Sequence, residues 1–292
     1  TSNFETVVNE EVSKNYTPNP CTFNCDTNDK SSPWKFYIDF EDNSWKGKLS
    51  PNNKGMGWVP FKIIEEDDNK FLSITVKNKW NVDRGFSNTK TERSEIQTSK
   101  RQSFGKEVWY GFKIKKPKET ELFYVRTLIT QFKQMVKKGN VNPMVSIKQR
   151  RPNKSILGLR LCDDGYREAS DYFNNVKTFS KFDMGIICNK IWYDGVYKFG
   201  NTKIFNELLN GNWNNVVIGS YITNKNDGFI IIYINNKLVF RYDGITYGWT
   251  EVAGSHIRFG VYRDDNSYPL QTLHYDDFVI GSKEDVTKVL WK

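Results

Sequence analysis

Period-two alternation is the feature that most restricts how this chain can fold. Successive side chains of a strand point to opposite faces, so Arg93, Glu95 and Gln97 share one side while Ser94 and Ile96 take the other. Gln131 and Lys133 likewise share a side opposite Phe132. His256, Arg258, Gly260 and Tyr262 share a side opposite Ile257, Phe259 and Val261. Strand-like runs recur at 35–40, 71–76, 108–113, 145–149, 156–162, 214–219, 229–234, 237–242 and 273–280, with Asn235-Asn236 reading as a hairpin turn. Only 204–209 and 286–290 look helical. Many strands, few helices and loops rich in Gly and Asn predict an all-β fold, a β-sandwich or jelly roll of two antiparallel sheets.

The 292 residues suit one large all-β domain, and aromatic residues at 15% supply a substantial core. Residues 1–33, rich in Asn, Thr, Ser and Pro, read as an irregular N-terminal arm. Residues 34–292 read as the single domain, with a Gly/Asn/Pro-rich loop over 43–60 and an ambiguous aromatic- and Asn-rich stretch over 163–212. No run approaches the roughly 18 apolar residues of a membrane span. The first 14 residues lack the layout of a signal peptide, and a chain that does not open on Met reads as a mature or trimmed form.

The net charge of +9 points to an anionic partner. The basic residues concentrate at 113–118, 133–138 and 148–154, with no basic helix or zinc-finger spacing, which argues against nucleic acid. Cys21, Cys25, Cys162 and Cys188 include no second Cys/His pair to match Cys21-x-x-x-Cys25, so zinc is not expected. A disulfide suits a secreted protein, with the pairing open. Sequons at Asn15-Tyr16-Thr17 and Asn153-Lys154-Ser155 are short enough to arise by chance.

Most sheets have one wet face whose charges are simply solvated. Tyr262 taken alone is an ordinary strand aromatic, His256 a surface histidine near a turn, and Glu95 a salt-bridge partner for Arg93. The two polar faces mean more if they meet, because together they hold Arg, Gln, Lys, His and Tyr. Eliminative cleavage of a uronate chain needs three things: donors that neutralise the carboxylate, a base for the neighbouring C–H, and an acid for the leaving glycosidic oxygen. Tyr or His suits the last two roles, and Lys only with its pKa lowered. Hydrolysis would need two carboxylates flanking the bond, and no Glu-x-Asp-x-x-Glu strand is present.

Arg93-Ser94-Glu95-Ile96, Thr130-Gln131-Phe132 and Gly260-Val261-Tyr262-Arg263 resemble the motifs of jelly-roll polysaccharide lyases. They are most similar to the family of heparin lyase I and glucuronan lyase, and more distantly to alginate lyases. The segment from Asn212-Trp213 through Asp227-Gly228 to Asn235-Asn236-Lys237, and the strand Tyr275 to Gly281, resemble the family's later segments, so the likeness spans about 35–281. It implies a concanavalin-like β-jelly roll with a concave substrate groove, acting outside the cell as a monomer on an anionic polysaccharide, with neither nucleic acid nor membrane as partner. Gln131, helped by Arg93, would neutralise the uronate carboxylate, and Tyr262 would be the acid. Lys133 stands where alginate lyases carry His, which leaves the base open among Tyr262, Lys133 and His256. Glu95, Gln97, Lys148, His256, Arg258 and Arg263 would bind substrate. Glu41 and Asp277 would hold a structural calcium, against the plainer reading of turn carboxylates. A carbohydrate-binding module on the same fold is the alternative.

Overall fold

The structure, a computed structural model, describes residues 35–51, 61–77, 91–99, 105–120, 127–134, 145–151, 154–159, 211–222, 227–243, 255–264 and 270–292. The predicted arm at 1–33, all four cysteines, the Asn15 sequon and Ile204–Leu209 lie outside them. In chain order the strands are β1 (Phe36–Ile38), β2 (Leu49–Pro51), β3 (Phe61–Glu66), β4 (Asn69–Lys77), β5 (Thr91–Thr98), β6 (Glu107–Lys115) and β7 (Thr127–Gln134). They continue with β8 (Val145–Arg151), β9 (Lys154–Leu159), β10 (Asn214–Tyr221), β11 (Phe229–Ile234), β12 (Lys237–Asp243), β13 (Ser255–Asp264) and β14 (Leu270–Gly281), and one helix follows, α1 (Lys283–Leu290).

The strands form two antiparallel sheets. One runs β12-β11-β10-β6-β14-β4-β3, with β1 also on β14; the other runs β2-β5-β13-β7-β8-β9. This is the predicted jelly roll. Sheets pack face to face when each has one apolar face, and alternation supplies it. Ile96, Phe132, Ile257, Phe259 and Val261 of the second sheet meet Ile74, Tyr110, Phe112, Tyr275 and Phe278 of the first. Phe259 and Phe278 stack across the sandwich with ring centroids 4.7 Å apart.

The first sheet buries part of its other face too. Trp109, Val217 and Val279 pack there with Val286 and Leu290 of α1, which lie one helical turn apart. A capping box starts the helix: Ser282 Oγ accepts from Asp285 N–H at 3.2 Å, and Asp285 Oδ2 accepts from Ser282 N–H at 3.0 Å. Gly111 makes room for it, since a Cβ there would stand 2.4 Å from Leu290 Cδ1. Among the described residues no helix is long and apolar enough to cross a membrane.

Two strands differ from the sequence expectation. The loop expected over 43–60 contains β2, and β3 has no counterpart in the reading above. β3 lies on an edge with no fully buried position, so its sequence carries no clean alternation.

On the helix-side face, Asp276 is 4% exposed and accepts from Asp277 N–H at 2.8 Å and Asn69 Nδ2 at 3.2 Å. Burial and then the Asp277 charge raise its pKa from 3.8 to about 6. The folded chain therefore keeps this proton at pH values where the unfolded chain releases it. The stability it contributes is fully present below about pH 4 and is lost as pH rises through about 6. Asp276→Asn keeps an acceptor for Asp277 N–H and carries no charge. It is expected to flatten this slope and raise the melting temperature at pH 7, by about 2–4 °C for each kcal/mol recovered. An unchanged slope in melts from pH 4 to 7 would refute the assignment.

Candidate active site

Strand β13 runs between β5 and β7 and brings the predicted residues into one array. Arg258 stands opposite Gln97 on one side and Gln131 on the other. Gly260 pairs with Glu95, and Tyr262 pairs with Arg93. All project from the face turned away from the core, as alternation requires.

Their side chains form a chain of contacts across three strands. Arg93 lies over the Tyr262 ring, its Cζ 4.2 Å from the centroid. Arg93 Nε is 3.4 Å from Glu95 Oε2, and Gln131 Nε2 donates to Glu95 Oε1. Glu95 and Gln131 belong to strands that flank β13 and meet over its middle. Gly260 stands opposite Glu95 there and brings no side chain. A Cβ on Gly260 would stand 2.3 Å from Ser94 O, and its φ of +140° already disfavours any other residue.

Depth grades across the array. The Glu95 side chain is 1% exposed and that of Arg93 19%. Gln131 is also buried, at 2%, while Tyr262 is half-buried. The carboxylate of Glu95 thus faces a guanidinium that reaches the surface and a buried amide that donates to it. One row along, Arg258 Nε donates to Gln97 Oε1 at 3.0 Å. His256 shares a 2.8 Å hydrogen bond between its Nδ1 and Thr98 O. A carbonyl can only accept, so Nδ1 carries the proton and the neutral ring has its lone pair on Nε2. The backbone of Lys133 stands opposite His256, and that of Lys148 opposite Leu128 and Ile156. Their side chains lie outside the described part.

Three residues expected at the site or at a metal belong elsewhere. Arg263 shares the parity of Val261 and points into the sandwich, 0% exposed, with its Nε 2.6 Å from Glu92 Oε2. It cannot touch a substrate. Asp277 accepts from Tyr37 Oη and pairs with Lys113 Nζ at 2.5 Å, while Glu41 Oε1 accepts from Lys70 N–H at 2.8 Å. A carboxylate already facing an ammonium is a poor calcium ligand. Among the described residues no three His, Cys, Asp or Glu come together as a metal site. Asp277, paired with Lys113, does not suit calcium, and chelation with EDTA is expected to leave the melting temperature unchanged. A drop restored by calcium would reverse this.

Residues 61–279 match the model of the polysaccharide lyase family, and the chain belongs to that family. It is a polysaccharide lyase. No curated protein matches the chain in sequence. Among solved structures it is similar to endo-β-1,4-glucuronan lyase from the fungus Trichoderma reesei, at 15% identity and a TM-score of 0.56, covering 86% of this chain and 97% of that one. It is also similar to an alginate lyase variant solved with an alginate trisaccharide, at 11% identity and a TM-score of 0.52, covering 86% and 99%. At such identities the likeness is one of fold.

Proposed function

We propose that the enzyme cleaves a uronate-containing anionic polysaccharide by β-elimination at the Arg93–Glu95–Gln131–Tyr262 array. The observation that supports this reading is the convergence of an amide, a guanidinium and a phenol across three strands over Gly260. Gln131 and Arg93 receive the carboxylate and withdraw its charge, which makes the neighbouring C5–H acidic. Glu95 holds both donors in place. The C5 proton leaves, its electron pair forms the C4=C5 double bond, and the C4–O bond breaks. The departing oxygen takes a proton.

Tyr262 is assigned both proton transfers. His256 lies six residues away on the same strand, about 20 Å of extended backbone. That distance is too great for both groups to serve one glycosidic bond. Lys133 pairs with His256 and stands two residues beyond Gln131 on β7. On D-glucuronate or D-mannuronate the C5 hydrogen and O4 lie on the same ring face. A single phenol on that face can take one proton and return it to the other atom. His256, Arg258 and Gln97 are assigned to the neighbouring sugars, and the net charge of +9 suits a polyanion. The reading places the enzyme's work outside the cell, where such polymers are met.

The test is ultraviolet absorbance of the conjugated, unsaturated uronate during incubation with glucuronan, polymannuronate, polyguluronate, heparin and pectin. A rise with a D-glucuronate or D-mannuronate polymer is expected. Absorbance that stays flat with every polymer, while calorimetry still detects binding, would instead support a carbohydrate-binding module.

A further inference from the structure

Behind the site the ladder between β13 and β7 is broken. Phe259 pairs with Thr130, and the next pair is Tyr262 with Leu128. Gly260 and Val261 therefore have no partner on β7, and Ile129 has none on β13. From Arg258 to Tyr262 the chain takes four steps while β7 takes three from Gln131 to Leu128. On the other side of β13 the pairing with β5 runs on without a shift. This bulge therefore sets where Tyr262 stands relative to Gln131.

A bulge turns backbone groups out of the ladder, and buried backbone groups need partners. Here the partner comes from the opposite sheet. Tyr275 of β14 is 0% exposed and reaches through the core with its hydroxyl at the bulge. The hydroxyl accepts from Gly260 N–H at 3.2 Å, and its proton faces Ile129 O at 2.8 Å and Gly260 O at 2.9 Å. One oxygen thus ties the two mismatched strands together. The Tyr275 ring is held by Phe112 and Phe259, with centroids 5.6 and 5.1 Å away. Burial raises the Tyr275 pKa well above its ordinary value, so the donor proton stays on.

We propose that Tyr275 is a positioning residue of the active site: its hydroxyl pins the β13–β7 bulge and thereby fixes Tyr262 against Gln131 and Arg93. Tyr275 touches no substrate and acts only through Gly260 and Ile129. The catalytic consequence rests on the lyase reading above; the pinning does not.

The test compares Tyr275→Phe with Tyr221→Phe in the full chain. Tyr221 is another buried tyrosine, in the cluster on the far face of the first sheet. Both are assayed well below their melting temperatures, on the polymer the wild type cleaves. Tyr275→Phe is expected to lower kcat by about 10–100-fold with KM within about twofold, because small misplacements of reacting groups have effects of that size. Tyr221→Phe should keep kcat. In parallel, chains labelled with 13C at the tyrosine Cζ report the Tyr262 signal, assigned by its loss in Tyr262→Phe. That signal should move in Tyr275→Phe and stay in Tyr221→Phe. A wild-type kcat or an unmoved Tyr262 signal in Tyr275→Phe would overturn the proposal. If the wild type cleaves none of the polymers, the lyase reading fails, and the Tyr262 signal alone decides whether the bulge is pinned.

Discussion

Tyr262→Phe is expected to lower β-elimination by about 10²–10⁴-fold, the range for loss of a positioned acid–base group. Folding and polymer binding should stay near wild type. The substitution removes one oxygen and leaves the ring. Arg93 keeps a face to lie against, and the Arg93–Glu95–Gln131 contacts do not involve the hydroxyl. The loss should therefore appear in kcat, with KM nearly unchanged. Steady-state absorbance assays on purified protein, with a melt to confirm folding, make the comparison. Activity within a few-fold of wild type would remove Tyr262 from the mechanism.

Arg263→Met is expected to lower stability by about 3–5 kcal/mol, because it strands a carboxylate in the core. The Glu92 side chain is 1% exposed and that of Arg263 0%, with 2.6 Å between the paired atoms. Neither partner can turn to water. Replacing both, in Arg263→Met with Glu92→Leu, should recover much of the loss, since no uncompensated charge remains. Urea unfolding midpoints for the two single variants and the double variant measure this. Below its melting temperature Arg263→Met should cleave its polymer at close to the wild-type rate, because the side chain lies on the core face. A loss of stability under about 1 kcal/mol would be the value expected of an exposed pair and would contradict the buried assignment.

Alternation made most of this site legible. Ile96, Phe132, Ile257, Phe259 and Val261 point inward, so their neighbours Glu95, Gln97, Gln131, Arg258 and Tyr262 had to face the other way. The same rule placed Arg263 inside, in step with Val261. The family resemblance implied a substrate role for it, and only the buried Glu92 opposite it shows why a guanidinium can sit there. Asp277 misled for a related reason. Carboxylates near a strand end look like calcium ligands until Lys113 and Tyr37 are seen to occupy them.

The bulge was not legible. Alternation along β13 is unbroken, and the mismatch lies against β7, whose pairing with β8 shifts at the same place, between Leu128 and Thr130. Gly260 is the residue of β13 at the mismatch, and it brings no side chain. What approaches it is the backbone of β5, the Ser94 carbonyl and the Glu95 Cα. Tyr275 read as one more core aromatic of a closing strand, because a hydroxyl's long-range partners leave no mark on local sequence.

The most direct test of the account is the mass of the products. Each cleavage of a defined D-glucuronate or D-mannuronate oligosaccharide should yield two fragments whose masses sum to that of the substrate, the new non-reducing end carrying the double bond. Fragments that together exceed the substrate by one water would show hydrolysis and contradict elimination at Tyr262.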